Sequence, residues 1–144
     1  MTIAMSRQGN GSFECSGAQI RAQCRHLATV VSIRGEIDAV NADRVRDYIR
    51  RFTLGTNSLL LDMTEVSHFA GAGIALLYGF DEDCRAAGVQ WTLAASPAVS
   101  DLLDDDDHEA GFPIAGSVRA ALRTLADAIV SRRQQALPLI KHTA

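Results

Sequence analysis

The residues of this sequence that could do chemistry fall into a few small groups. Asp38 and Asp62 each close a predicted strand, and carboxylates ending adjacent strands could form an acid–base pair. No nucleophile, histidine or metal-ligand set accompanies them. His68 is close in sequence but alone, so helix capping or a partner contact is the favoured use. Gly71-Ala72-Gly73 opens a predicted helix, where glycines can bring backbone N–H groups toward an anion. Leu76 stands where a dinucleotide fingerprint needs its third glycine, and no Walker A sequence exists, which leaves close backbone packing as the main reading. Cys15, Cys24 and Cys84 are odd in number and lack metal-ligand spacing. Cys24 shares an alternating face with Ile20 and Ala22 and is expected to be buried; a Cys15–Cys24 redox switch is the sharper alternative, disfavoured in a reducing compartment. Thr64 and Ser67 precede the glycines and are read as turn residues first, phosphate acceptors second. This inventory contains no enzyme signature, metal set or cofactor motif.

Composition sets wider bounds. The 144 residues are 47% hydrophobic and 22% charged, with a mean hydropathy of +0.04. That length suits one domain, burying roughly 68–70% of its unfolded surface. No apolar run approaches the ~18 residues of a membrane span, and no basic-then-apolar segment opens the chain, so a cytoplasmic protein without membrane contact is expected. The net charge of −3 is unevenly placed: residues 101–109 hold six of the 17 acids and no Lys or Arg. That run lacks the glycine and spacing of a calcium loop and reads as a solvated loop, with an acidic docking patch as the alternative. The basic residues are spread out without aromatic interleaving, which argues against nucleic-acid binding.

The elements that must position these residues follow from periodicity. Residues 1–12 are small and polar and are expected to form a disordered tail; residues 13–133 form the domain, and 134–144 a loose C-terminal tail. Residues 18–25 alternate as a half-exposed strand, and 27–34 are β-branched and more buried, suggesting a hairpin. Asn41 is the expected N-cap of a helix with Val45, Tyr48, Ile49 and Phe52 on one stripe, and Gly55 ends it. Leu59, Leu60 and Leu61 form a buried strand ending near Met63, where Thr64-Glu65 supplies turn chemistry. After a loop, a helix carries Gly73, Leu77, Phe80, Cys84 and Ala87 on one stripe, with Gly88 as its C-cap. Residues 89–95 make the next strand, Ser96-Pro97 starts a short helix, 112–115 form a short strand, and 118–130 form a last helix. The order is β-β-α-β-α-β-α-β-α: a mixed sheet with an antiparallel first strand, then parallel βα units. Right-handed crossovers in sequential order put four helices on one face.

In that order, three segments resemble the STAS domain, the fold of bacterial anti-sigma factor antagonists. Gly35-Glu36-Ile37-Asp38 is similar to the family's G-x-L-D, and Leu60-Leu61-Asp62-Met63 with Val66 to its L-x-L-D-L-s-x-V. Ser96-Pro97 through Leu103, then Phe112-Pro113-Ile114, resembles its N-P-x-V…L…F-x-I ending. The resemblance covers roughly residues 16–130. It implies a strand–helix junction that reads D-S-S-G-L/I, whose first serine is phosphorylated by a partner anti-sigma factor acting as a serine kinase. Here the matching residues are Ala70, Gly71, Ala72, Gly73 and Ile74, so the hydroxyl is lost at Gly71.

The expectation is therefore a non-enzymatic regulator that docks an anti-sigma factor or similar protein through Ala70, Gly71, Ala72, Gly73 and Ile74, with Asp38 beside them. Ser67 and Thr64 are the first substitute phosphate acceptors nearby. A nucleotide or small-molecule sensor and a structural subunit of a larger STAS assembly stand as alternatives, and homodimerisation stays open.

Overall fold

The computed structural model describes residues 12–25, 28–56, 58–105 and 113–143. Its six strands are β1 (Ser12–Cys15), β2 (Ala18–Cys24), β3 (Thr29–Ile37), β4 (Ser58–Phe69), β5 (Gln90–Ala95) and β6 (Ile114–Ala115). The helices are α1 (Ala42–Ile49), followed by a 3₁₀ turn at Arg50–Thr53, then α2 (Gly71–Ala87), α3 (Pro97–Asp105) and α4 (Val118–Thr143). The strands lie in sequential order, antiparallel from β1 to β3 and parallel from β3 to β6. This is the mixed sheet the sequence predicts, with one strand more.

The additional strand is β1. Ser16 and Gly17 both hold positive φ (44° and 101°), the two-residue turn that matches the twist of a hairpin. Phe13 stacks on the Tyr48 ring at 4.1 Å, and Cys15 is buried in the core. A four-residue strand is too short for period-two alternation to reveal. Of the tail expected over 1–12, only Ser12 lies within the described residues, and it begins β1.

The four helices do not share one face. Leu59, Leu61 and Met63 of β4 and Leu93 of β5 join the core with Val45, Leu77, Phe80 and Val99 of α1, α2 and α3. The alternate residues Val30, Leu60 and Ala94 instead pack with Ala121 and Leu125 of α4. Side chains alternate across a strand, so α4 covers the opposite face. The handedness rule governs crossovers between parallel strands. α1, α2 and α3 are crossovers; α4 follows the last strand and is not bound by it. α4 also continues to Thr143, so the range 134–143, expected as a loose tail, has a helical backbone.

α1 and α2 are clamped together. The Arg46 Nε and Nη2 atoms each donate to a carboxylate oxygen of Asp83 at 3.1 Å, and Asp83 in turn raises the Arg46 pKa. The guanidinium lies against Gly79, where a Cβ would run into it. α2 ends at Gly88, whose φ of 72° is the left-handed conformation of a C-cap. Pro97 is the first residue of α3, and Ser96 Oγ accepts from the Val99 N–H, as Ser96-Pro97 predicts.

Candidate functional site

The carboxyl edge of β3 and β4 brings the predicted site together by a route the sequence did not show. β4 does not stop near Met63; it continues to Phe69 and enters α2 through Ala70 alone. Two irregularities, worth one residue each, interrupt its pairing with β3. Between Ser32↔Asp62 and Arg34↔Glu65, and again between Gly35↔Val66 and Glu36↔His68, β4 advances three residues while β3 advances two and β3 advances one while β4 advances two. Each is a β-bulge of one residue.

At the end of the ladder Ile37 faces Phe69, and the Ala70 N–H donates to the Ile37 carbonyl at 2.9 Å. Asp38 and Gly71 therefore leave neighbouring strands at the same edge, as expected. Ala70 is the N-cap of α2 in an extended conformation and offers no capping side chain. Gly71 is exposed, with no atom within 4 Å of where its Cβ would stand, so the position has room for a side chain. Gly73 is its opposite: buried, with the Phe69 ring in the space a Cβ needs. Ala72 and Ile74 are partly buried and pack against the core. Of these residues, Gly71 presents the fully exposed position.

Asp38 is half-buried and works locally. Its Oδ1 accepts from the Val40 N–H at 3.0 Å and the Asn41 N–H at 3.3 Å, an Asx turn that prepares the start of α1. Asn41 does not cap α1 with its side chain, contrary to expectation. Its carboxamide is fully buried: Oδ1 accepts from the Asp38 N–H at 3.0 Å, and Nδ2 donates to the carbonyls of Cys15 (3.2 Å), Ser16 (3.1 Å) and Glu36 (2.9 Å). The atom an N-cap would present to the helix N–H groups, Asn41 Oδ1, is taken by the Asp38 N–H, while Nδ2 is held by the three carbonyls. Ser16 Oγ also accepts from Arg44 Nη2 at 3.0 Å, so the β1–β2 turn belongs to the same edge. Sequence reasoning missed this turn and Val40, which is 70% exposed in the loop after Asp38. An apolar residue in a strand-to-helix loop was the available signal for Val40.

Asp38 and Asp62 are not a pair. Asp62 lies mid-strand opposite Ser32, whose Oγ donates to it at 3.4 Å, and the bulged Thr64 donates to it from its N–H (3.0 Å) and hydroxyl (2.6 Å). Ser67 Oγ donates to the Gly35 carbonyl at 3.2 Å. Both hydroxyls thus satisfy nearby acceptors, at bulges rather than in a turn. His68 is exposed and stands in register with the exposed Glu36.

The cysteines support no shared chemistry. Cys24 is exposed, not buried, because burial along β2 fades toward its end. Cys15 pairs with Ala18 at the other end of β2, which leaves six residues, roughly 20 Å of strand, between the two thiols. A Cys15–Cys24 bond is out of reach. Burial, with Asp81 and Asp83 nearby, pushes the Cys84 thiol up to about 12. Among the described residues no three His, Cys, Asp or Glu side chains are placed to hold a metal ion, and no helix is long and apolar enough to cross a membrane. Residues 106–109 of the acidic run lie outside the described residues.

Comparison with known proteins gives this geometry a context. The family model for the STAS domain matches residues 19–121. Osmosensory protein A of Mycobacterium tuberculosis (strain ATCC 25618 / H37Rv) is 58% identical over 143 residues, which is 96% of this chain and 90% of that protein. The crystal structure of an anti-sigma factor antagonist from Mycobacterium paratuberculosis matches with a TM-score of 0.65 at 21% identity, covering 76% of this chain and 94% of that one. An anti-sigma-factor antagonist (STAS) domain protein from Planctomyces limnophilus matches with a TM-score of 0.62 at 19% identity, covering 74% and 97%. At these identities the two structures speak to the fold.

Proposed function

The chain belongs to the STAS domain family, and from that premise we propose that it is a non-enzymatic, cytoplasmic protein-binding regulator of the anti-sigma factor antagonist type. Its docking edge comprises Gly71, with Ala70, Ala72, Gly73 and Ile74 around it, and Asp38 on the neighbouring strand. The partner is an anti-sigma factor or a regulatory protein of similar shape. The observation that carries this reading is the open space at Gly71: the position where the family places its serine is exposed and has room, yet holds no hydroxyl. The edge is thus permanently in the small, uncharged form, and binding follows concentration rather than phosphorylation. The 58% identity to a protein named for osmosensing supports osmotic stress as the input.

The test is Gly71→Glu. A phosphoserine adds about −1.5 to −2 charges and disrupts an interface by repulsion and desolvation. A glutamate at Gly71 places fixed charge and bulk at an exposed position with open space around its Cβ. Against a partner purified from native cytosol, titration calorimetry should show at least a tenfold loss of affinity, about 1.4 kcal/mol, with the melting temperature unchanged. Unchanged affinity in a folded variant rejects this edge as the interface.

A further inference from the structure

α4 covers only part of its face of the sheet, and the part it leaves bare carries polar side chains in two rows across the strands. Glu14, Gln19, Arg34 and Glu65 stand opposite one another from β1 to β4. That row is closed on itself: Gln19 Nε2 donates to Glu14 Oε2 at 2.8 Å, and Arg34 Nη2 meets Glu65 Oε1 at 3.3 Å. The next row is Ser12, Arg21, Ser32 and Asp62. Its two charges stand two strand spacings apart, roughly 10 Å, with the small Ser32 between them. Arg21 is exposed, and among the described residues its guanidinium has no hydrogen bond or ion pair. Asp62 is half-buried: Thr64 holds its Oδ1, whereas its Oδ2 accepts, among the described residues, only the long 3.4 Å bond from Ser32. Between Arg21 and Asp62 lies a recess of about 130 Å³, lined also by Ser32, Gln19 and Gln23.

We propose that this recess binds a small zwitterion, with its carboxylate on Arg21 and its ammonium on Asp62 Oδ2. A guanidinium receives a carboxylate through paired N–H donors, and an ammonium supplies donors to the oxygen that the protein leaves underused. A lone anion would gain Arg21 but face Asp62, and a lone cation the reverse; Arg34 and Glu65, which also line the recess, offset each other. Only a molecule carrying both charges answers both ends. Side chains on a strand stand off the sheet, so two hydrogen bonds of about 2.8 Å leave roughly 4–5 Å of the span for the ligand. That is the charge separation of an ω-amino acid. The volume, the share of roughly four waters, suits a molecule of that size and is too small for a nucleotide. The inference does not rest on the Gly71 edge, since Asp62 lies mid-strand and Arg21 two strands away.

The test is a titration of the full chain with 4-aminobutyrate, followed by backbone amide NMR, with sodium acetate and methylammonium chloride at the same ionic strength as controls. The Arg21, Ser32 and Asp62 amides should shift saturably, with a Kd of about 1 mM or tighter, while Leu77 in the packed core stays fixed. Neither control should give a saturable shift. Arg21→Gln changes an exposed side chain and should weaken binding at least tenfold with the melting temperature unchanged. Asp62→Asn should weaken it by as much; where the loss of its bonds to Thr64 unfolds the chain, Arg21→Gln decides alone. Shifts that grow without saturating mean a solvated sheet face only, and overturn the proposal. So does saturable binding of acetate or methylammonium alone, or a Kd in Arg21→Gln within threefold of the original.

Discussion

On one face of the sheet, α1, α2 and α3 enclose a core of 24 buried residues among those described, all but Val89 drawn from five strands and these three helices. On the other, α4 meets a cluster of six, with Leu60 and Leu125 its largest side chains. Beyond the reach of that cluster, Arg21 and Gln23 of β2 stay exposed, and Gln19 and Ser32 are only partly covered. The first face is packed because three crossovers must all return on the same side. The second is closed by a single helix with no following strand to constrain it. The difference teaches that α4 is an addition to a core that is largely complete without it.

Substitutions on the two faces should separate accordingly. Phe80→Ala removes a fully buried ring that meets Trp91 edge-on at 5.1 Å, and should cost about 3–5 kcal/mol in urea unfolding. Leu125→Ala, equally buried but in the small cluster, should cost about 2–3 kcal/mol, because the thinner layer can relax around the gap. Equal losses would erase the distinction between the faces, and a loss below about half a kcal/mol at Leu125 would mean that α4 does not pack. At the edge between them, Gly73→Ala should cost about 1–3 kcal/mol through overpacking against Phe69, whereas Gly71→Ala should stay within about 0.5.

The effect at Cys84, on the packed face, is smaller than those at Phe80, Leu125 and Gly73. Its folded thiol titrates at about 12 against an ordinary 9.0. As pH rises past 9 the unfolded chain releases this proton first, so stability that is full below pH 9 declines toward pH 12. From pH 7.5 to 9.5 the loss attributable to this thiol should be under about 1 kcal/mol, and Cys84→Ala should flatten the slope by that amount. An identical slope in the variant would show that the thiol is not held protonated by burial.

Much of this was legible from local signals. Ser96-Pro97, Gly88 and the alternation in β2 each announced their elements, and the family resemblance placed Gly71 and Asp38 at one edge. β4 was misread for a specific reason. Its inward residues are Leu59, Leu61, Met63, Val66 and Phe69, and the two bulges turn spacings of two into spacings of three, which mimics a strand ending in a turn. Asn41 was misread because its Oδ1 turns to the Asp38 N–H while its Nδ2 reaches the Glu36, Ser16 and Cys15 carbonyls, the last 26 residues away, a buried arrangement no local signal shows. The separation of Asp38 from Asp62 follows from the same unrecognised length of β4.

The Arg46 clamp over Gly79 has an evolutionary corollary. Position 79 can acquire a side chain only if the guanidinium shifts, and Arg46 can shorten only by abandoning Asp83 between α1 and α2. The guanidinium is the far end of a flexible side chain, so a single step at 79 is open, and its consequence falls on the ion pair rather than on the backbone. A lineage that fills position 79 is expected to have loosened or lost the Arg46–Asp83 link between the two helices.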